Sequence, residues 1–112
     1  MSGPRLDLFL YLAQRISAAI LAPLVLTHVV LIVYATRGGL SAAEILGRTE
    51  GSALWALLYG LFALAVAIHA PIGLRTILGE MTPWHGRSLD VAMALLALGL
   101  LGLGLRAVAA VT

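Results

Sequence analysis

The sequence predicts an all-α, integral membrane protein with three transmembrane helices, and three observations carry that reading. First, 62% of its 112 residues are hydrophobic and only 11% are charged, with a mean hydropathy of +1.06, far from the composition of water-soluble domains. Second, the apolar residues gather into three runs of about 20 residues, the length a helix needs to cross a bilayer. Third, the seven arginines and five acids sit mainly between those runs or at their edges. Three spans and their connections use almost the whole sequence, so we expect one membrane-anchor domain over residues 1–112 and no soluble catalytic domain.

The first span is expected over about 16–35, approached by an amphipathic stretch, 6–15, near the membrane surface. Pro23 falls inside it, where a membrane helix accommodates proline as a kink rather than a break. No small-residue cleavage site follows this run, so it is read as retained. Residues 36–51, with Gly38, Gly39, Gly47, Glu44 and Glu50, form the first connection. A second span, 53–74, opens with Trp55 and Tyr59, rings suited to the interface, and is closed by Arg75. Residues 79–87, with Pro83, Trp84 and His85, read as a turn with an interfacial anchor. The third span, 89–110, can be capped by Ser88 and carries Gly99, Gly102 and Gly104, which permit close helix approach.

Arg5, Arg15, Arg75 and Arg87 fall on the side of the N-terminus, against Arg37 and Arg48 on the other and Arg106 near the far end of the last helix. The positive-inside rule then places the N-terminus in the cytoplasm. No basic cluster or aromatic platform points to nucleic acid. Cysteine is absent, which excludes disulfides, thiolate catalysis and cysteine-ligated iron–sulfur clusters within this chain.

His28 and His69 lie inside apolar runs, where ionisable groups are costly and are candidates for function. A neutral imidazole binds haem iron through one ring nitrogen and donates through the other; it also serves as an interhelical polar contact with no cofactor. His69 shares a helix face with Phe62, Ala65, Val66, Gly73 and Thr76. Ala65 and Gly73, a turn to either side of it, make a shallow groove suited to a porphyrin edge. On the first span Ser17, Leu21, Leu24 and His28 form a bulkier stripe.

At about 1.5 Å per residue, His69 lies ~8 Å and His28 ~18 Å from the N-terminal side of the membrane. An offset of about 10 Å is too large for both to bind one iron, given metal–imidazole bonds of roughly 2 Å. Two haems at different depths, or one on His69 with His28 structural, remain open. Either arrangement needs a partner membrane subunit, so the chain is expected to be part of a multi-subunit helical bundle.

The run His69-Ala-Pro-Ile-Gly73-Leu74-Arg75 resembles the His-x-x-x-Gly-[Ile/Leu]-Arg signature of cytochrome b subunits of succinate dehydrogenase. Gln14-Arg15-Ile16-Ser17-Ala18-Ala19, followed by His28, resembles the Arg-[Ile/Val]-[Ser/Thr]-Gly opening of that family's first helix, with Ala18 at the usual glycine. Order, spacing and three-helix length extend the resemblance over most of the chain. The family's Ser-x-x-His-Arg approach is here Tyr11-Leu12-Ala13-Gln14-Arg15, a departure at the serine and histidine. His28 looks like the first-helix histidine of dihaem fumarate reductase anchors.

The resemblance implies a haem b-binding anchor in the bacterial inner (plasma) membrane, with partners comprising the lipid bilayer, a second membrane-anchor subunit, an iron–sulfur subunit and a flavoprotein subunit. The complex would pass electrons between succinate or fumarate and quinone, its substrate; this chain would carry no catalytic residue of its own. His69 would be an axial ligand of haem iron and His28 the ligand of a second haem, with Gly73 against the cofactor. Arg15 and Arg75 would pair with haem propionates or polarise a quinone carbonyl, though arginines also snorkel to lipid phosphate. Tyr11 and Ser17 would donate to a quinone oxygen or simply bond to backbone or water, Trp84 would border the quinone cavity or anchor the turn in the headgroups, and His85 would relay protons or simply be solvated. Pro71 would open the helix beside His69 and fix the imidazole, or be a tolerated kink. Two other readings compete: a haem-free structural anchor, and a small proton-transport component, which lacks the expected membrane carboxylates.

Overall fold

A computed structural model describes residues 3–112, and among them every regular element is helical. In chain order these are α1 (Pro4–Gly38), α2 (Ala42–Thr49), α3 (Ala53–Met81) and α4 (Arg87–Val111). α1, α3 and α4 are long and apolar enough to cross a membrane. At 35 residues α1 runs close to the full 48 Å length of the molecule, well beyond a hydrocarbon core of about 30 Å. Its ends therefore reach past the lipid tails.

Local chemistry explains where each helix starts and stops. Proline sits in the first turn of α1, where its missing N–H costs nothing. The helix ends at Gly39, whose φ of 66° is left-handed; the Leu40 N–H turns back to the Ala35 carbonyl. α1 and α3 run continuously through Pro23 and Pro71, so the amphipathic approach and first span form one helix.

The connection 36–51 contains a helix that hydropathy did not anticipate. Ser41 and Glu44 form a reciprocal capping box at the start of α2: the Ser41 hydroxyl accepts from the Glu44 N–H, and the Glu44 carboxylate accepts from the Ser41 N–H. Buried Thr49 donates to the Val111 carbonyl at 2.6 Å, and the Gly51 N–H donates to the Thr112 carbonyl at 2.8 Å. α2 thereby ties the start of α3 to the end of α4.

α3 is capped by Ser52, whose hydroxyl accepts from the Trp55 N–H, and it continues past Arg75 to Met81. The helix runs through Gly79, where the turn was expected to begin, and the stop comes at extended Thr82, the residue before Pro83. Ser88 does not cap α4. Gly86 takes that position with φ 86°, and the Ser88 hydroxyl instead accepts from the Trp84 indole at 2.8 Å.

α3 is the central helix, packed on α1 along one side and on α4 along another. Both neighbours are antiparallel to it. Gln14 lies opposite Gly73, Ser17 opposite His69, and His28 against Tyr59 and Phe62. On the other side Ala63 meets Gly104 and Arg75 meets Asp90. The molecule is a rod of 48 × 23 × 22 Å with a thin interior, in which Leu21, Ala65, Ala67, Leu89 and Met93 are the buried hydrophobic side chains. Most large apolar groups face outward, toward lipid or neighbouring helices.

Candidate functional site

The two intramembrane histidines occupy different levels and different chemical settings. His69 projects from α3 toward α1, where its Nδ1 lies 3.3 Å from the Ser17 hydroxyl. Ser17 is only 3% exposed, and its hydroxyl donates to the Gln14 carbonyl at 3.0 Å. A hydroxyl has one proton: donated to the Gln14 carbonyl, it leaves the Ser17 oxygen to accept from a His69 Nδ1–H; donated to Nδ1, it makes that nitrogen the acceptor. In the first arrangement the opposite ring nitrogen, Nε2, is the one with the lone pair. Nε2 has no hydrogen-bond partner among the described residues, and it is not sealed inside the chain; the buried, unpartnered side-chain atoms are Gln14 Oε1 and His28 Nδ1.

His28 sits in an aromatic setting. Its ring meets Phe62 edge-on at 5.4 Å and Tyr59 at 6.1 Å between centroids, while Trp55 stacks on Tyr59. A cleft of about 560 Å³ opens beside it, lined by Phe62, Val66, Leu100 and Gly104 among others, within the range of ligand pockets. Since Tyr59 and Phe62 precede His69 by ten and seven residues, the two imidazoles are offset by roughly 10–15 Å along α3. The depth difference expected from residue counting is present.

The small residues beside His69 serve helix packing. Ala65 is 3% exposed, and a Cβ on Gly73 would lie 3.2 Å from Gln14 Nε2, so α1 approaches α3 closely at that turn. No cluster of three or more histidine, aspartate or glutamate side chains converges among the described residues. Of the two intramembrane imidazoles, His69 is the one with a hydrogen-bond partner at a ring nitrogen among the described residues.

These features sit within a sequence-wide match: the family model described as the succinate dehydrogenase/fumarate reductase transmembrane subunit fits residues 1–111. The chain belongs to that family. Searches of curated proteins and of solved structures returned no match. The resemblance read from the His69 and Arg15 motifs is thus borne out. As a succinate dehydrogenase/fumarate reductase transmembrane subunit, the chain is a multi-pass membrane component of a multi-subunit oxidoreductase.

The remaining expected residues of this transmembrane subunit fall into separate places. Arg75 is held by Asp90, its Nε donating to Oδ1 at 2.7 Å, both side chains being about one-quarter exposed. Asp90 was missed in the sequence, although an acid in the first turn of a membrane helix, following an arginine at the same boundary, is a readable signal. Arg15 and Tyr11 lie exposed on the outer face of α1, the guanidinium 6.0 Å from the ring centroid. That face points away from Ser17. Trp84, 40% exposed, is tied to Ser88 in the turn between α3 and α4, and exposed His85 donates from Nδ1 to the Pro83 carbonyl at 2.6 Å. Gln14, Ser17, His69 and Gly73 come together; Arg75, Arg15, Tyr11, Trp84 and His28 do not join them.

Proposed function

We propose that this transmembrane subunit binds haem b through His69 Nε2 and carries electrons between the iron–sulfur subunit and quinone in a succinate:quinone or quinol:fumarate oxidoreductase. The supporting observation is the setting of the imidazole: Nδ1 lies within hydrogen-bond distance of the enclosed Ser17 hydroxyl, while Nε2 has no partner among the described residues and is not sealed inside the chain. Histidines that bind metals donate their other N–H in this way. When bound, haem supplies a one-electron relay. The chain's own part would be to hold the group through His69 at a fixed depth, and a second membrane-anchor subunit would complete its binding.

A structural, haem-free histidine would also account for the bond to Ser17. The unpartnered Nε2 favours ligation, because a purely structural imidazole in lipid has reason to satisfy both nitrogens. His28 is less prepared: with Nδ1 buried and unpartnered, neither tautomer is satisfied within the chain, and the proposal assigns the haem to His69. Tyr11, Arg15 and Trp84 are offered as quinone-side residues at the end of the rod shared by the start of α1 and the turn after α3. The same end, richer in arginine, faces the cytoplasm of a bacterial cell and meets the iron–sulfur and flavoprotein subunits.

A reduced-minus-oxidised visible spectrum of the purified complex tests the assignment. The expected result is a b-type α band that disappears in His69→Ala with the other subunits still assembled. A band that survives this substitution rules out His69 as the ligand, and its absence from the wild-type complex favours the haem-free anchor.

A further inference from the structure

We infer that Ser17 is a positioning residue for His69, its hydroxyl oxygen holding the proton-bearing nitrogen of the imidazole so that Nε2 alone is presented to a ligand. The inference rests on the haem reading for its purpose but not for its geometry. The bond joins two helices across 52 residues of sequence. It occurs where Ser17 is almost completely enclosed, so water has little access to replace the hydroxyl. With the Ser17 proton on the Gln14 carbonyl of its own helix, the oxygen is left as an acceptor and selects the Nδ1–H tautomer.

The chain's other intramembrane histidine supplies a control. His28 is held by ring edges and has no hydrogen bond at its buried Nδ1. Orientation by a hydroxyl is therefore specific to His69 and not a general way in which this bundle accommodates imidazoles. Without Ser17, Nδ1–H would lose the acceptor it has, and the ring would be free to exchange tautomers or to turn toward another group such as the unpartnered Gln14 Oε1. An acceptor at Nδ1 also makes Nε2 a better electron donor, which favours the oxidised iron.

Three versions of the complex, wild type, Ser17→Ala and Ser17→Thr, decide the matter. Ser17→Ala is expected to assemble with normal subunit ratios, to release haem to apomyoglobin about 10- to 100-fold faster, and to show a more positive haem midpoint potential. Ser17→Thr restores the hydroxyl and is expected to return both readings toward wild type. Unchanged release and potential in Ser17→Ala overturn the inference, as does an assembled Ser17→Thr complex that behaves like alanine.

A measurement that needs no haem covers the case in which Ser17→Ala fails to assemble. In the full chain reconstituted in bilayers with ¹⁵N-labelled histidine, His69 is expected to be protonated at Nδ1 and bare at Nε2. A predominant Nε2–H form overturns the inference. A wild-type complex without haem would instead sink the proposed function, while the nitrogen spectrum still reports on Ser17.

Discussion

Asp90, in the first turn of α4, accepts a 2.7 Å hydrogen bond from Arg75 Nε near the end of α3. The pair closes one end of the α3–α4 hairpin across a turn of only a few residues, while Ala63 and Gly104 set the helix separation toward the other end. With about a quarter of each side chain exposed, the bond lies between a solvent-screened surface pair, worth up to about 1 kcal/mol, and a buried charge-assisted bond, worth about 1.5–3 kcal/mol. Asp90→Asn is expected to lower stability by about 1 kcal/mol, and the loss should shrink in high salt. A denaturation series on the full chain in detergent, run as a double-mutant cycle with Arg75→Gln, measures the coupling. Strict additivity of the two substitutions would contradict a working ion pair.

The contact between Gly104 and Ala63 allows a sharper test. A Cβ placed on Gly104 would lie 2.8 Å from the Ala63 Cβ and 3.6 Å from its Cα, and neither atom belongs to a flexible side chain that can swing aside. Gly104→Ala is expected to push α3 and α4 apart and to cost about 1–3 kcal/mol, the usual range for overpacking. Removing the opposing methyl with Ala63→Gly in the same chain should recover most of it. If the double variant is no more stable than Gly104→Ala alone, the close approach is not what the glycine serves.

The three spans were legible because lipid imposes a minimum apolar length that composition reveals directly. Helix ends were less so. Arg75 marks a charged boundary, yet α3 runs on to Met81, because charge ends the hydrocarbon crossing without ending the hydrogen-bond ladder. α2 was hidden in a connection although Ser41 and Glu44 hold the spacing of a capping box. The axial offset of His28 and His69 followed from residue counting alone. The Ser17 partner of His69 and the Asp90 partner of Arg75 did not, because each depends on how one helix is rotated and shifted against another, and no local pattern in the sequence records that register.

His28 and His69 should respond differently to substitution. His28→Phe keeps an aromatic ring against Tyr59 and Phe62 while removing a buried nitrogen that has no partner. Losing an unsatisfied polar atom in favour of an apolar group of similar shape is near neutral or stabilising. We expect the His28→Phe complex to assemble, to keep its full b-type α band and to be at least as heat-stable as wild type. A band reduced by about half would instead indicate a second haem at His28, with an acceptor for its Nδ1 supplied by another chain.

The orientation of the bundle can be tested on a background that is already free of cysteine. Glu80 lies exposed near the end of α3, on the side shared with the N-terminus, and Glu50 lies exposed just after α2 at the opposite end of the rod. If the arginine bias sets the topology with the N-terminus inside, Glu50→Cys should react with a membrane-impermeant maleimide in cells whose outer membrane has been made permeable. Glu80→Cys should react only after the inner membrane is opened. The reverse pattern would turn the subunit over and place Arg15, Trp84 and the proposed docking face for the iron–sulfur subunit outside the cytoplasm. An anchor cannot meet cytoplasmic partners through that face, so the labelling pattern tests the assembly proposal independently of haem.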